Sequence, residues 1–105
     1  MIFIVVKFKT KPEWTERWLD LVAPFTAATR AEPGNKWFDW SRSVDDPNEF
    51  VLVEAFENDG AGAHVNSEHF QEAVRIMPQA LLETPRIVSQ TVEANGWSAM
   101  GEIQV

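Results

Sequence analysis

His64 and His69 are the only two histidines of the chain, five residues apart in Ala63-His-Val-Asn-Ser-Glu-His-Phe70. They form its one cluster of proton-transfer groups. Imidazole has an unperturbed pKa of about 6.5, which suits a base at neutral pH, and burial keeps it neutral and able to accept a proton. On an uninterrupted helix, at about 100° per residue, positions five apart point roughly 140° away from each other. A break at Asn66-Ser67 would let both rings reach one point. The plainer alternative is two surface or helix-end histidines with no role. A metal centre would need both histidines and one carboxylate, with Glu54 and Glu68 as candidates. Five-residue spacing is poor for such a pair, and no metal is expected.

Glu54 lies between Val53 and Ala55 inside an apolar run, Phe50 to Phe56. A carboxylate on a buried face must be paired or have a raised pKa. Arg42, across a hairpin on the same sheet face, is its expected structural partner, and a structural ion pair competes with a role as catalytic acid. Trp14 and Trp18 read as core. Trp37 and Trp40 fall on opposite faces of one strand, and Trp40, which shares a parity with Phe38 and Arg42, is the one expected to face a pocket.

Absent residues narrow the chemistry further. There is no Cys, which excludes disulfides, iron–sulfur clusters, zinc-thiolate sites and thiol nucleophiles, and no Tyr to act as a phenolic acid. Asp59-Gly-Ala-Gly62 lacks the Lys of a phosphate loop and the third glycine of a dinucleotide fingerprint, and no Gly-x-Ser-x-Gly elbow occurs. The net charge is −7, divided between residues 1–42 (seven basic, five acidic) and residues 43–105 (two basic, eleven acidic). Neither nucleic acid nor a membrane surface suits that balance, since both call for a basic face. The longest aliphatic and aromatic run, Ile2 to Val6, is far short of the roughly 20 residues of a spanning helix, with no basic stretch before it. A cytoplasmic protein is expected.

The elements that must position these groups fit one domain of 105 residues. Residues 2–9 read as a strand with Ile2, Ile4, Val6 and Phe8 on one face. Thr10-Lys-Pro-Glu13 matches a capping box opening a helix, on which Trp14, Trp18, Leu21, Val22 and Phe25 make an apolar stripe before Pro33-Gly34 ends it. Lys36–Val44 and Glu49–Phe56 form a hairpin around Asp45-Asp-Pro-Asn48. Asp59 and Ser67 are the expected caps of two helical pieces, the second carrying Phe70, Val74, Met77 and Leu81, with Pro78 as a break. Ile87–Val92 is a last strand. The order is βαββαβ, an α+β, ferredoxin-like arrangement with an antiparallel four-stranded sheet and both helices on one face. The uncovered face, expected to carry Phe38, Trp40 and Arg42 or Leu52, Glu54 and Phe56, implies a homodimer packed sheet on sheet. Trp97 and Glu102-Ile-Gln-Val105 of the tail, residues 95–105, are expected across the partner or at an edge strand.

Glu32-Pro-Gly-Asn35, Trp37-Phe-Asp-Trp-Ser-Arg-Ser-Val-Asp-Asp-Pro47, Phe50-Val-Leu-Val-Glu-Ala-Phe56 and the His-x-x-Ser-x-His-Phe stretch together resemble the antibiotic biosynthesis monooxygenase superfamily, including its quinol monooxygenases, over residues 1–94. The resemblance implies a dimeric α+β barrel with a pocket between sheet and helices of each subunit. It implies oxidation of an electron-rich small aromatic (a quinol, an anthrone or similar) with molecular oxygen as co-substrate and no cofactor. Under it His64 or His69 is the base, Asn66 or Arg42 stabilises the anion, and Trp40 and Phe56 are ring-stacking walls, with Glu54 also in the substrate site. Haem is a secondary option, because the Asn, Trp and His set of haem-degrading relatives has no full counterpart here. A non-catalytic ligand-binding dimer and a small-molecule isomerase using the same pocket are the alternatives.

Overall fold

A computed structural model describes residues 1–105. Four strands, β1 (Ile2–Lys9), β2 (Asn35–Arg42), β3 (Glu49–Phe56) and β4 (Arg86–Thr91), form one sheet in the order β2-β3-β1-β4, every neighbouring pair antiparallel. Helices α1 (Trp18–Leu21), α2 (Ala23–Arg30), α3 (Gly60–Val65) and α4 (Glu68–Ile76), with 3-10 turns at Pro12–Arg17 and Met77–Ala80, supply the α layer. This is the expected βαββαβ order. No helix is long and apolar enough to cross a membrane.

The register sets which residues the helices cover. Ile4 pairs with Glu54, Val6 with Leu52 and Phe8 with Phe50 across β1 and β3, and Phe38 pairs with Glu54 across β2 and β3. Side chains alternate along a strand, so all of these share one face. On it Ile4, Val6, Phe8, Phe38, Phe50, Leu52 and Phe56 pack with Trp18, Val22, Phe25, Ala73, Met77 and Ala80 in a single core. Full burial of such a side chain contributes about 1.5–3 kcal/mol.

This corrects the expected exposure of two faces. Phe38, Leu52, Glu54 and Phe56 lie under the helices and are buried, and the open face carries Phe3, Val5, Trp37, Val51 and Val53, all half-buried, with Val88 exposed. Alternation was misleading because both faces of β1 and β3 are apolar. Trp97 of the tail returns to its own chain's open face, its ring 5.2 Å from that of Trp37.

The first helical segment is also more divided than its stripe suggests. No side-chain cap forms before Pro12. The Thr10 hydroxyl is instead buried 2.7 Å from the Thr15 hydroxyl, which donates to Asn48 Oδ1 at 2.7 Å, tying the end of β1 to the β2–β3 loop. Pro24, without an N–H for the i−4 carbonyl, sits in the first turn of α2, and the helix restarts there. Asp59 precedes α3 without capping it, whereas the Ser67 Oγ accepts from Phe70 N–H at 3.2 Å, as its position implies.

A pair of glycines closes the gap between the two halves of the fold. A Cβ on Gly34 would stand 2.8 Å from Gly60 Cα, and one on Gly60 would stand 2.9 Å from the Gly34 carbonyl oxygen. That oxygen also accepts from Glu57 N–H at 2.8 Å. Only hydrogen fits between the turn after α2 and the start of α3. Gly60→Ala should therefore cost about 2 kcal/mol through overpacking, read as a lowered midpoint in urea with an unchanged slope; an unshifted midpoint would show that the contact relaxes freely.

Candidate active site

The Gly34–Gly60 contact carries Glu32 to α3. Arg30, the last residue of α2, donates from Nε and Nη2 to the Phe38 carbonyl oxygen at 3.0 and 2.8 Å, fixing that helix end to edge strand β2. Two residues on, Glu32 turns inward. Its Oε2 lies 2.8 Å from His64 Nδ1 and 2.6 Å from His69 Nε2. With Glu32 as a carboxylate, both rings donate to one oxygen, which fixes their tautomers and leaves His64 Nε2 and His69 Nδ1 with the free lone pairs.

The break proposed at Asn66-Ser67 is what makes this possible. His64 lies in the last turn of α3 and His69 in the first turn of α4, and Ser67 between them donates from Oγ to the His64 carbonyl oxygen at 2.6 Å while capping α4. The two ring centroids are 6.0 Å apart. Their surroundings differ: the His64 side chain is 5% exposed and the His69 side chain 26%. Phe56, Phe70 and Phe25 stand around His64 with centroids at 4.8, 5.1 and 5.6 Å. His69 is the more accessible of the two rings.

Glu54 lies behind His64. Its Oε1 is 3.9 Å from His64 Nε2, and the residue is 5% exposed. Burial first, and the Glu32 charge second, push its carboxyl up to about 7. The expected Arg42 partner is elsewhere: Arg42 pairs with Phe50 in the register, four residues or about 13 Å along β3 from Glu54. Its guanidinium donates to Glu16 Oε1 at 2.9 Å and the Pro47 carbonyl at 2.7 Å.

The sequence-derived site residues thus separate. His64, His69, Glu54 and Phe56 come together. Trp40 does not join them; its Nε1 donates to Thr26 Oγ1 at 2.9 Å, its ring packs on Phe8, Trp18 and Phe38, and it borders a small hollow of about 150 Å³ shared with Arg42. Asn66 is exposed at the end of α3, and Glu68 is exposed on α4. The residue missed as a site member is Glu32, whose only local signal is an acidic side chain just before the Pro33-Gly34 turn.

A cleft of about 330 Å³ opens beside the cluster, lined by Glu32, Gly34, Glu57, Asp59, Gly60 and Ser67. A hollow of similar size, about 350 Å³, lies past α4 among Val74, Met77, Leu81 and Leu82, but carries no group able to move a proton except Glu83. Of the proton-transfer cluster only Glu32 lines the acidic cleft; neither imidazole does. The carboxylates of that cleft repel an anion, and a proton added to either ring would give an imidazolium stabilised by Glu32.

Comparison with known proteins gives a consistent picture. The family profile described as "Antibiotic biosynthesis monooxygenase" matches residues 1–76. A Bacillus subtilis (strain 168) protein named "Putative monooxygenase YcnE" is 33% identical over 92 residues, covering 87% of this chain and 96% of that protein. A solved structure described as "Putative antibiotic biosynthesis monooxygenase from Nitrosomonas europaea" superposes with a TM-score of 0.81 at 27% identity, covering 90% of this chain and 100% of the other. Rv0793 from Mycobacterium tuberculosis shares the fold with a TM-score of 0.81 at 20% identity, covering 90% and 98%.

Proposed function

Because the chain belongs to the antibiotic biosynthesis monooxygenase family, we propose that it is a monooxygenase that oxidises a neutral, electron-rich hydroxyaromatic, a quinol or an anthrone, with O₂ and no cofactor. The observation that carries this reading is the convergence of His64 and His69 on one Glu32 oxygen, beside an aromatic shell and a cleft.

The more exposed His69 takes the substrate proton on its free ring nitrogen. Glu32 holds that ring in the accepting tautomer and stabilises the imidazolium, as the carboxylate of a catalytic triad does for its histidine. His64, braced on the same oxygen, positions Glu32. The deprotonated aromatic is itself the reductant: it passes an electron to O₂, and the resulting radical pair combines to form the C–O bond. One oxygen atom stays in the product and the other leaves as water, with all four electrons drawn from the substrate. The protein supplies the base, and the imidazolium it becomes is the cation that pairs with the substrate anion. Trp40, Arg42 and Asn66 lie outside this set.

Product mass tests the reaction class. With ¹⁸O₂, the product should gain one labelled oxygen per turnover; a product of unchanged mass would contradict oxygenation and indicate isomerisation with the same base.

We also propose that the open sheet face is covered by a second copy of the chain, because Phe3, Val5, Val51 and Val53 form a contiguous apolar surface across the two central strands. Sedimentation at micromolar concentration should give a dimer, and Val53→Asp, which puts a charge at the middle of that face, a monomer. A monomeric native protein would contradict the pairing.

A further inference from the structure

We propose that Glu32, His64 and His69 also bind one divalent transition-metal ion of the zinc type. Two imidazole nitrogens and a carboxylate oxygen converge here, with no two donor atoms more than 4.8 Å apart. A mixed nitrogen and oxygen set of this kind suits zinc and its first-row neighbours, whereas magnesium prefers oxygen alone.

Four features of the site support the assignment. Glu32 is a largely buried carboxylate whose only partners are the two imidazoles, with no Lys or Arg against it, so a cation at their meeting point would satisfy it. The other ring nitrogen of His64 has the Glu54 carboxyl 3.9 Å away, beyond hydrogen-bond distance but on the side where a metal-binding histidine finds its orienting carboxylate. The break at Asn66-Ser67 removes the objection that five-residue spacing raises on a continuous helix. Finally, the cleft that Glu32 lines is acidic, with Glu57 and Asp59 also lining it, and draws a cation toward the site. Bonds of about 2.1 Å place neighbouring donors roughly 3.0–3.4 Å apart, so closing the site draws the ring of His69 inward. Three protein ligands leave at least one position free for water.

This assignment goes beyond the oxygenase reading and does not depend on it, since binding is read without substrate. Where both hold they exclude each other in time. A metal held by His69 Nε2 and Glu32 leaves the ring's proton on Nδ1, the nitrogen that the base mechanism needs free, so metal-loaded protein is inactive until a chelator restores it.

The test is calorimetric titration of the chelator-stripped full chain with Zn²⁺ at pH 7, with Co²⁺ absorption spectra and a Mg²⁺ control. Zn²⁺ should saturate at one ion per chain. Glu32→Gln and His69→Ala should each weaken it by about tenfold or more, Co²⁺ should show the visible bands of imidazole coordination, and excess Mg²⁺ should leave Zn²⁺ binding unchanged. His69→Ala, at the more exposed ring, keeps the test open if Glu32→Gln unfolds. No saturable Zn²⁺ binding, binding undiminished in His69→Ala, or displacement by Mg²⁺ would each overturn the site, the last by assigning the ion to the cleft carboxylates. Oxygen uptake by the metal-free protein is unaffected by any of these results.

Discussion

Glu32→Gln is expected to lower kcat on an identified substrate by about 10²–10⁴-fold, the range set by losing a positioned general base, while the fold survives. The carboxylate oxygen receives two ring N–H groups, at 2.8 and 2.6 Å. An amide can present its oxygen to them, but it brings an NH₂ into the same space and carries no charge to stabilise the imidazolium. His69 then loses its defined tautomer, the same kind of defect that follows when a triad carboxylate is replaced by its amide. Oxygen uptake measures the rate, and circular dichroism with a urea melt separates a catalytic loss from unfolding. A folded variant retaining kcat within about twofold of the native value would remove Glu32 from the proton path.

The second large effect is on stability. Glu54 titrates at about 7 in the folded chain, against 4.5 for an unperturbed carboxyl. Between those values the folded state holds a proton that the unfolded state has released, so stability falls as pH rises from about 4.5 to 7 and is flat in this group's contribution above and below. At 1.36 kcal/mol per pKa unit the loss amounts to roughly 3 kcal/mol. Glu54→Gln removes it. The difference in unfolding free energy between variant and native protein should grow in the variant's favour across that window, reaching roughly 3 kcal/mol at pH 8 less any hydrogen bond the amide fails to make. Taking the difference cancels the exposed carboxylates common to both. A difference that does not change with pH would show that Glu54 is not held protonated by its surroundings.

Much of this architecture is legible in local sequence. β1 and β3 follow from β-branched and aromatic runs, and the Ser67 cap from its position before an apolar stripe. The helix break between the histidines follows from the geometry of a five-residue spacing. What the sequence obscures is long-range. Glu32 meets His64 and His69 only because Gly34 and Gly60 touch, a contact no residue pattern announces. Val51 and Val53 are as apolar as Leu52 and Phe56, so alternation does not say which side of the sheet the helices cover. Shared parity puts Arg42 and Glu54 on one face, but parity leaves the register free. The register sets it against Phe50, where Glu16 and the Pro47 carbonyl take its guanidinium.

The central claim is that a histidine held by Glu32 starts a reaction in which the substrate itself reduces O₂. Its most direct test is oxygen uptake by chelator-treated, flavin-free protein on a panel of hydroquinones, dihydroxynaphthalenes and anthrones, with His69→Ala alongside. Uptake is expected on at least one of these compounds, surviving chelation and falling by about 10²-fold or more in His69→Ala. Uptake that His69→Ala leaves unchanged, or no uptake on any of these compounds, would contradict it.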